Sequence, residues 1–501
     1  MSVPNSPFKH VVVMMFENRS FDSMLGFLYE NKTSPSTNHD FEGLTGTESN
    51  PGSDGKPVQV YKIPANQPHT YFMPRKDPGE GFANTNSQLF GKPQAPFDPS
   101  VAPNQGFVLD FGHQINNGPL EDMEKAANAG KPIPQEHIQY VPDLPGVSEK
   151  DIMGIYTPET LPVLSGLAQN YAVCDHWYCS VPSETLPNRA FMHLATSDGN
   201  LYDEVHSYSN RSMFMHLSNH NKTWGIFGNN GKPYTVSFCA DIPSAVSYKN
   251  GEKIQQSLPE GCQIGSFDTF KTALTNKTLP DYTFLEPVWG HKGNSQHPNY
   301  NVAAGEQYML DIYNALKSSS YWEDTLLVIT YDEHGGCYDH VTPPNGAAKT
   351  KKSEAFGFEF DRFGIRVPTV LISPWIEKGT VYRTKGEVPL DHTSILASLE
   401  TLFSLPPLSA RDKAASGILD VATLKEPRQD DPMQHVVAPT ADAVILQDHA
   451  SQIQHMHAES LTDKHNRETG EDWKTPQFST SGEVDSYIHG LHHRYYSYDK
   501  E

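Results

Sequence analysis

Two apolar runs in this sequence end abruptly in acids. In KHVVVMMFENRSFD (residues 9–22) the unbroken run Val11–Phe16 passes straight into Glu17, Asn18 and Arg19. In TLLVITYDEHGG (325–336) a second run ends in Asp332, Glu333 and His334, followed by two glycines. A third stretch, LDHTS, carries Asp391 and His392. If the runs are strands, their acids lie at the carboxyl ends, where open α/β sheets bind ligands. Carboxylates crowded into a dry cleft are costly unless a cation neutralises them. Glu17, Asn18, Asp332 and Glu333 offer only hard oxygen, and His113, His297, His334, His340 and His392 are imidazoles that could join them. Such a set suits a divalent cation, and histidine involvement would favour a transition metal. Each stretch alone also has a plainer reading: Asn18 or Ser20 as a helix N-cap, DEHGG as a glycine turn.

A hydroxyl-rich stretch supplies the other half of a reaction. DHWYCSVPSETLPNRAFMHLATS (175–197) holds Ser180, Ser183 and Thr185, then Pro187-Asn188-Arg189, then the helix-compatible AFMHLA. A hydroxyl at the mouth of a strand-to-helix turn can act as a nucleophile once metal contact lowers its pKa. Arg189, one turn on, suits bidentate contact with phosphate oxygens. A Ser/Thr turn with an ordinary N-cap is the alternative.

These groups need a scaffold that brings distant segments together. Strands are expected at Val11–Phe16, Tyr171–Cys174, Tyr282–Leu285, Thr325–Tyr331 and Val367–Ser373. Most are continuous apolar runs, as in strands buried on both faces. TLPVLSGLAQN, GEQYMLDIYNALKSS and HTSILASLETLFSL read as helices around them. The alternation predicts an α/β fold with a mostly parallel central sheet flanked by helices. Residues 30–150 and 341–364 are Pro-, Gly- and Asn-rich and read as loop-rich inserts. The expected organisation is one catalytic domain over 1–424, with a His-rich polar tail, 425–501, packed on it or extending from it.

Composition excludes several functions. Sixty acids against 38 bases give a net charge of −22 over 501 residues. Such a chain would repel nucleic acid and strongly anionic membranes. No run approaches the ~20 apolar residues of a membrane helix. The N-terminus lacks the basic and apolar pattern of a signal. The expectation is a cytoplasmic protein, or a secreted or periplasmic one if a signal has been removed or a signal-independent route is used. Cys174 could pair with Cys179 and Cys239 with Cys262, but five cysteines and these spacings favour isolated core thiols.

Taken in order, ENRSFD, SETLPNRAF, LEP…QHP, YDEHGG…DHVTPP and DHTSILASLE resemble the bacterial phospholipase C and acid phosphatase family of phosphoesterases. These are distant members of the alkaline phosphatase superfamily, and plant non-specific phospholipases C look similar. The resemblance spans roughly residues 8–404. It implies an alkaline-phosphatase-like fold and Thr185 as the nucleophile, forming a phospho-threonine intermediate. It implies a divalent metal (Ca, Zn, Mg or Mn) held by Glu17, Asn18, Asp332, Glu333 and Thr185. Catalytic histidines map to His297 and, through GHQINNGPLEDM, to His113. His340 and Arg189 fall in its blocks as further catalytic residues.

The implied activity is phospholipase C-type hydrolysis of phosphatidylcholine-like lipids to diacylglycerol and phosphocholine. An acid phosphatase with the same machinery is the alternative, and a non-catalytic metal-stabilised binding protein is a third. The expected partners are a phospholipid or other phosphate ester and, transiently, a membrane surface, with no stable protein partner. Trp177, Tyr178, Tyr282 and Trp289 could form a choline-binding cage. The aromatic stretch AFGFEFDRFG could be a lipid-facing lid or a hairpin packed on the body. The tail histidines read as solvated surface, and Arg19 as one half of a structural salt bridge.

Overall fold

Val11–Phe16 are buried because strand β1 (His10–Phe16) lies inside an eight-stranded sheet with a hydrogen-bonded neighbour on each side. The computed structural model describes residues 6–29, 39–92, 102–117, 143–206, 208, 210–249, 252–353, 356–441 and 448–498. The other strands of this sheet are β2 (Ala172–Val173), β3 (Trp224–Gly228), β4 (Gln263–Ser266), β5 (Tyr282–Glu286), β6 (Thr325–Tyr331), β7 (Val370–Ile372) and β8 (Thr380–Val381). Their order is β4-β3-β5-β1-β6-β7-β2-β8. β1 pairs in parallel with β5 and β6, and β7 runs antiparallel to both of its neighbours. The mostly parallel α/β expectation therefore holds, with one correction: the fifth expected strand shrinks to Val370–Ile372 and reverses direction. β3 and β4 escape the sequence reading because they are short and contain Gly225, Gly228 and Gly265.

Register decides what meets at the end of the sheet. Phe16 pairs with Tyr331 and Met14 with Leu285. Glu17 and Asn18 therefore emerge beside Asp332 and Glu333. A shift of one residue would turn every one of these side chains to the opposite face.

Three helices cluster around residues 82–170. α2 (Phe82–Phe90) and α3 (Phe107–Asn117) build a satellite core in the expected insert, where Leu89, Phe107, Val108 and Phe111 pack on Ile152, Met153 and Ile155. This part of the insert is helical rather than loop; residues 30–38, 93–101 and 118–142 of it lie outside the described residues. α4 (Pro162–Asn170) has a leucine at its N-cap, and the Glu306 carboxylate accepts the Val163 and Leu164 N–H groups instead.

Two helices close the tail, α8 (Gln452–Thr469) and α9 (Ser481–Tyr496); between them and α4 in the chain come α5 (Thr185–Leu194), α6 (Val302–Lys317) and α7 (Thr393–Phe403). Ile453, Met456, Leu461, Val484, Ile488 and Leu491 join the main core. The tail histidines correct the expectation of a solvated face. His457, His465 and His492 are buried, whereas His435, His489 and His493 are exposed. Residues 442–447 of the tail lie outside the described residues.

The aromatic stretch packs inward: Phe358 and Phe360 lie against Phe82 and Phe191, and Phe363 against Tyr178. Its rings face the body rather than solvent, and only an isolated bridge, Asn345–Arg362, replaces the expected hairpin. All five cysteines are free and buried. Among the described residues, no helix is long and apolar enough to cross a membrane.

Candidate active site

The chain leaves β1 through a left-handed residue. Asn18 has φ +53°, an uncommon conformation that asparagine tolerates better than most. Its N–H and that of Glu333 both donate to Asp332 Oδ1, at 2.9 and 2.8 Å. One carboxylate thus ties the ends of β1 and β6 together. The two glycines after His334 have φ +61° and +63°. A Cβ on Gly335 would come within 2.1 Å of the Asn18 carbonyl oxygen, and one on Gly336 within 2.4 Å of that of Gly79. The glycine pair is therefore required by close backbone approach.

Ser20 caps α1 (Phe21–Leu25), so the N-cap reading and the site reading both apply to this stretch. Glu17 and Glu333 are buried, and among the described residues Glu17 Oε2 and Glu333 Oε1 have no hydrogen-bond partner. Burial, reinforced by the nearby Asp332 charge, pushes both carboxyls above their ordinary range.

Thr185 is the first residue of α5, and its hydroxyl donates to Asn18 Oδ1 at 3.1 Å. The N-terminal end of that helix favours negative charge on the threonine oxygen. Thr185 lines a small cavity together with Glu17, Asp77, Glu80 and His297. Ser183 instead donates to the Leu201 carbonyl, and Ser180 is buried; neither lines the cavity. Of the three hydroxyls, the structure brings only Thr185 to the site.

Arg189 does not line the cavity. Its Nε and Nη2 engage Asp332 Oδ2 at 3.0 and 2.9 Å, Nη2 also reaches the Phe16 carbonyl, and the guanidinium lies 4.8 Å from the Trp289 ring centroid. It anchors Asp332. The aromatic cage does not form: Trp177, Tyr178 and Tyr282 are core, and Trp289 is covered by Arg189.

His297 lines the cavity between two acids that the sequence reading missed. Its Nδ1 lies 3.7 Å from Asp77 Oδ1 and its Nε2 4.0 Å from Glu80 Oε2. Burial alone would lower its pKa, but the Asp77 and Glu17 charges outweigh burial and raise it. Glu80 also accepts from Asn18 Nδ2. Asp203, Tyr300 and the tail residues Ser451–Ile453 complete the wall. These positions sit in irregular segments with no periodicity; the one local signal is the pair of acids around the Pro78-Gly79 turn.

Arg19 corrects another expectation. Its guanidinium is fully buried and donates to the carbonyls of Gln296 (2.7 Å), Met73 (2.6 Å) and His297 (3.3 Å), not to a carboxylate. It clamps the loop carrying His297, where Gln296 and Asn299 have φ +70° and +55°. Lysine lacks the planar fork needed for three carbonyls. Arg19→Lys is expected to lower kcat about 10²-fold through a displaced His297, as read from steady-state kinetics on a soluble phosphate ester.

The remaining predicted residues lie elsewhere. His113 is on α3 and does not line the cavity; the segment that follows it, from 118, lies outside the described residues. His334 bonds Gln88 Oε1 at 2.7 Å, and burial pushes its pKa down to about 3. His392 donates from Nε2 to the Asp332 carbonyl at 2.6 Å and accepts from Trp177 at Nδ1.

His340 also stands apart from the cavity. It bonds Asp22 Oδ2 through Nδ1 at 2.6 Å, within a buried network where Arg366 bridges Asp22 and Asp339. Burial opposes charge on both partners, yet Asp22 is held below its ordinary value and His340 above its own by their mutual attraction and hydrogen bonds, with Arg366 also favouring the Asp22 charge. The Asp22 contribution is complete above 3.8 and lost as pH falls through its depressed value; that of His340 is complete below 6.5 and lost as pH rises through its raised value. His340→Gln is therefore expected to cost about 1.5–3 kcal/mol. In thermal melts the gap from wild type should be widest between pH 3.8 and 6.5.

The donor set fits a hard divalent cation. Two buried carboxylate oxygens, Glu17 Oε2 and Glu333 Oε1, lack partners, and Asn18 Oδ1 accepts from the Thr185 hydroxyl. Asp332 is more committed: Oδ1 holds two backbone N–H groups and Oδ2 holds Arg189. Asp77, Glu80 and His297 form a second group of convergent ligand atoms.

Comparisons with known proteins place this chain among phosphoric ester hydrolases. The Phosphoesterase family model matches residues 8–406. Non-specific phospholipase C3 of Arabidopsis thaliana is 33% identical over 87% of this chain and 77% of its own length. Non-specific phospholipase C6 of the same plant is 34% identical over 85% of this chain and 75% of its own. Among solved structures, a protein in the alkaline phosphatase superfamily from Vibrio parahaemolyticus aligns over 51% of this chain and 63% of its own, at 13% identity and a TM-score of 0.29.

Proposed function

We propose, given that this chain belongs to the phosphoesterase family and is a phosphoric ester hydrolase, that it is a phosphodiesterase of the phospholipase C type. Its substrate class is phosphatidylcholine-like lipids, cleaved to diacylglycerol and phosphocholine during transient contact with a lipid surface. The observation that carries this reading is the Thr185 hydroxyl, bonded to Asn18 at a helix N-terminus and facing a cavity with unpartnered carboxylate oxygens. The names of the plant relatives support the lipid substrate.

A divalent cation (zinc, calcium, magnesium or manganese) bound by Glu17, Asn18, Asp332, Glu333 and Thr185 would lower the hydroxyl pKa and offset phosphoryl charge. With its hydroxyl proton already lost to solvent, Thr185 Oγ attacks phosphorus as the alkoxide, the form in which it is later released, and the bond to the diacylglycerol oxygen breaks. His297, whose raised pKa favours the imidazolium, donates its proton to the departing alkoxide, a step worth about 10²–10⁴-fold. The neutral imidazole then takes a proton from water as that water attacks phosphorus. Phosphocholine leaves and free Thr185 returns. The Pro298 carbonyl, 3.2 Å from Nδ1, fixes the ring, and the Asp77 charge on the same side favours its protonated form.

Paired rates on p-nitrophenyl phosphorylcholine and p-nitrophenyl phosphate test the substrate class. The reading expects faster turnover of the diester and release of phosphocholine from phosphatidylcholine micelles. Turnover of the monoester alone would replace it with the acid phosphatase reading.

A further inference from the structure

The long helix of the tail begins inside the catalytic cavity. Ser451, Gln452 and Ile453, the N-cap and first two residues of α8, line the same cavity as Thr185, Glu17 and His297. The first N–H groups of an α-helix have no intrahelical acceptor and point outward along its axis, at the positive end of the macrodipole. Here a capping box satisfies only part of them: the Ser451 hydroxyl accepts from the Gln454 N–H, and the Gln454 side chain accepts from the Ser451 N–H. Among the described residues, the N–H groups of Gln452 and Ile453 have no acceptor.

The helix is held in place independently of any ligand. Tyr234 bonds Ser460 one face away, at 3.1 Å. Gly290, at φ +83°, makes room for the first turn: a Cβ there would sit 2.7 Å from Gln454 Oε1.

The surroundings call for donors. The titratable side chains of the wall are otherwise acidic apart from His297 and Tyr300. Glu17 is 1% exposed, lines the cavity and, among the described residues, has an oxygen with no partner, so the cavity is built to receive a ligand that brings a cation or a donor to it. A phosphate ester needs donors on its non-bridging oxygens. Arg189 commits Nε and Nη2 to Asp332 and the Phe16 carbonyl and does not line the cavity.

We propose that the backbone N–H groups of Gln452 and Ile453 bind a non-bridging phosphoryl oxygen of the substrate, so that the C-terminal tail supplies part of the catalytic site. This rests on the phosphoesterase reading above.

Gln452→Pro tests it with little disturbance. Proline at the first helical position removes one N–H and fits the helix. Ser451, at φ −79° and ψ 161°, already has the extended backbone required before proline. Gln452→Ala keeps the N–H and serves as control. Expected for Gln452→Pro are a kcat/KM on p-nitrophenyl phosphorylcholine about 10²-fold below wild type, weaker competitive inhibition by inorganic phosphate, and an unchanged melting temperature. Gln452→Ala, which keeps the N–H, should lose at least tenfold less than Gln452→Pro in kcat/KM and in phosphate inhibition.

Wild-type kcat/KM and phosphate inhibition in a folded Gln452→Pro protein overturn the proposal while leaving the phosphoesterase reading intact. Should the proline variant not melt cooperatively, Gln452→Glu decides. A carboxylate in the first turn favours the helix but opposes the anion, so unchanged phosphate inhibition overturns the proposal. A wild-type protein that hydrolyses no phosphate ester overturns both readings.

Discussion

Thr185→Ala is expected to lower kcat by at least about 10³-fold on every phosphate ester the protein turns over, with an unchanged melting temperature. Among the described residues, the hydroxyl makes one side-chain hydrogen bond, to Asn18 Oδ1. Alanine leaves α5 intact, because Glu184 occupies the N-cap and the Leu186 N–H is held by Asp203. The loss is therefore chemical. Serine tests the same point: Thr185→Ser keeps an oxygen at the helix N-terminus and should retain activity within about tenfold. Steady-state rates with melting curves on the three proteins check this. Residual kcat above a tenth of wild type in Thr185→Ala would mean that another group attacks phosphorus.

The second large effect concerns metal. Glu333→Gln should reduce bound divalent metal to background in elemental analysis after dialysis and lower kcat about 10³-fold. The same substitution should stabilise the metal-free protein. Glu333 is fully buried beside Asp332, and Glu80 adds a further acid in its surroundings. Without a cation these charges repel one another in a dry setting. The amide removes one charge, while its oxygen can keep the Gly335 N–H bond that Glu333 Oε2 now holds. A gain of about 1–3 kcal/mol is expected after chelation at neutral pH. Wild type should gain stability on adding metal back, and the variant should not. Full metal content in Glu333→Gln would place the ion elsewhere.

The sequence exposes the parts of this site that sit on regular structure. β1 and β6 are legible because continuous apolar runs mark strands buried on both faces, and their register brings Glu17 and Asn18 beside Asp332 and Glu333. Thr185 is one of three equivalent hydroxyls by sequence alone, and the resemblance singles it out. What stays hidden depends on tertiary packing. Asp77 and Glu80 lie in an irregular segment whose path is set by contacts such as Gly336 against the Gly79 carbonyl. Ser451–Ile453 reach the cavity from the far end of the chain, because α8 and α9 bury apolar faces in the main core.

Arg19 reads as an ion-pair partner because buried guanidinium groups usually need charge, and three converging carbonyls are not visible in composition. His113 and His340 match the family blocks yet lie outside the cavity: one sits on the satellite helix α3, the other in the Asp22–Arg366 network. A motif match places a residue in a segment; packing decides which way its side chain turns.

The most direct test of the account is acid quench of the wild-type protein during turnover of p-nitrophenyl phosphorylcholine, followed by peptide mass spectrometry. The account predicts a phosphocholine adduct on the peptide carrying Thr185, absent from Thr185→Ala. An adduct on a different residue, or an equal burst of p-nitrophenol with Thr185 unmodified, would contradict it.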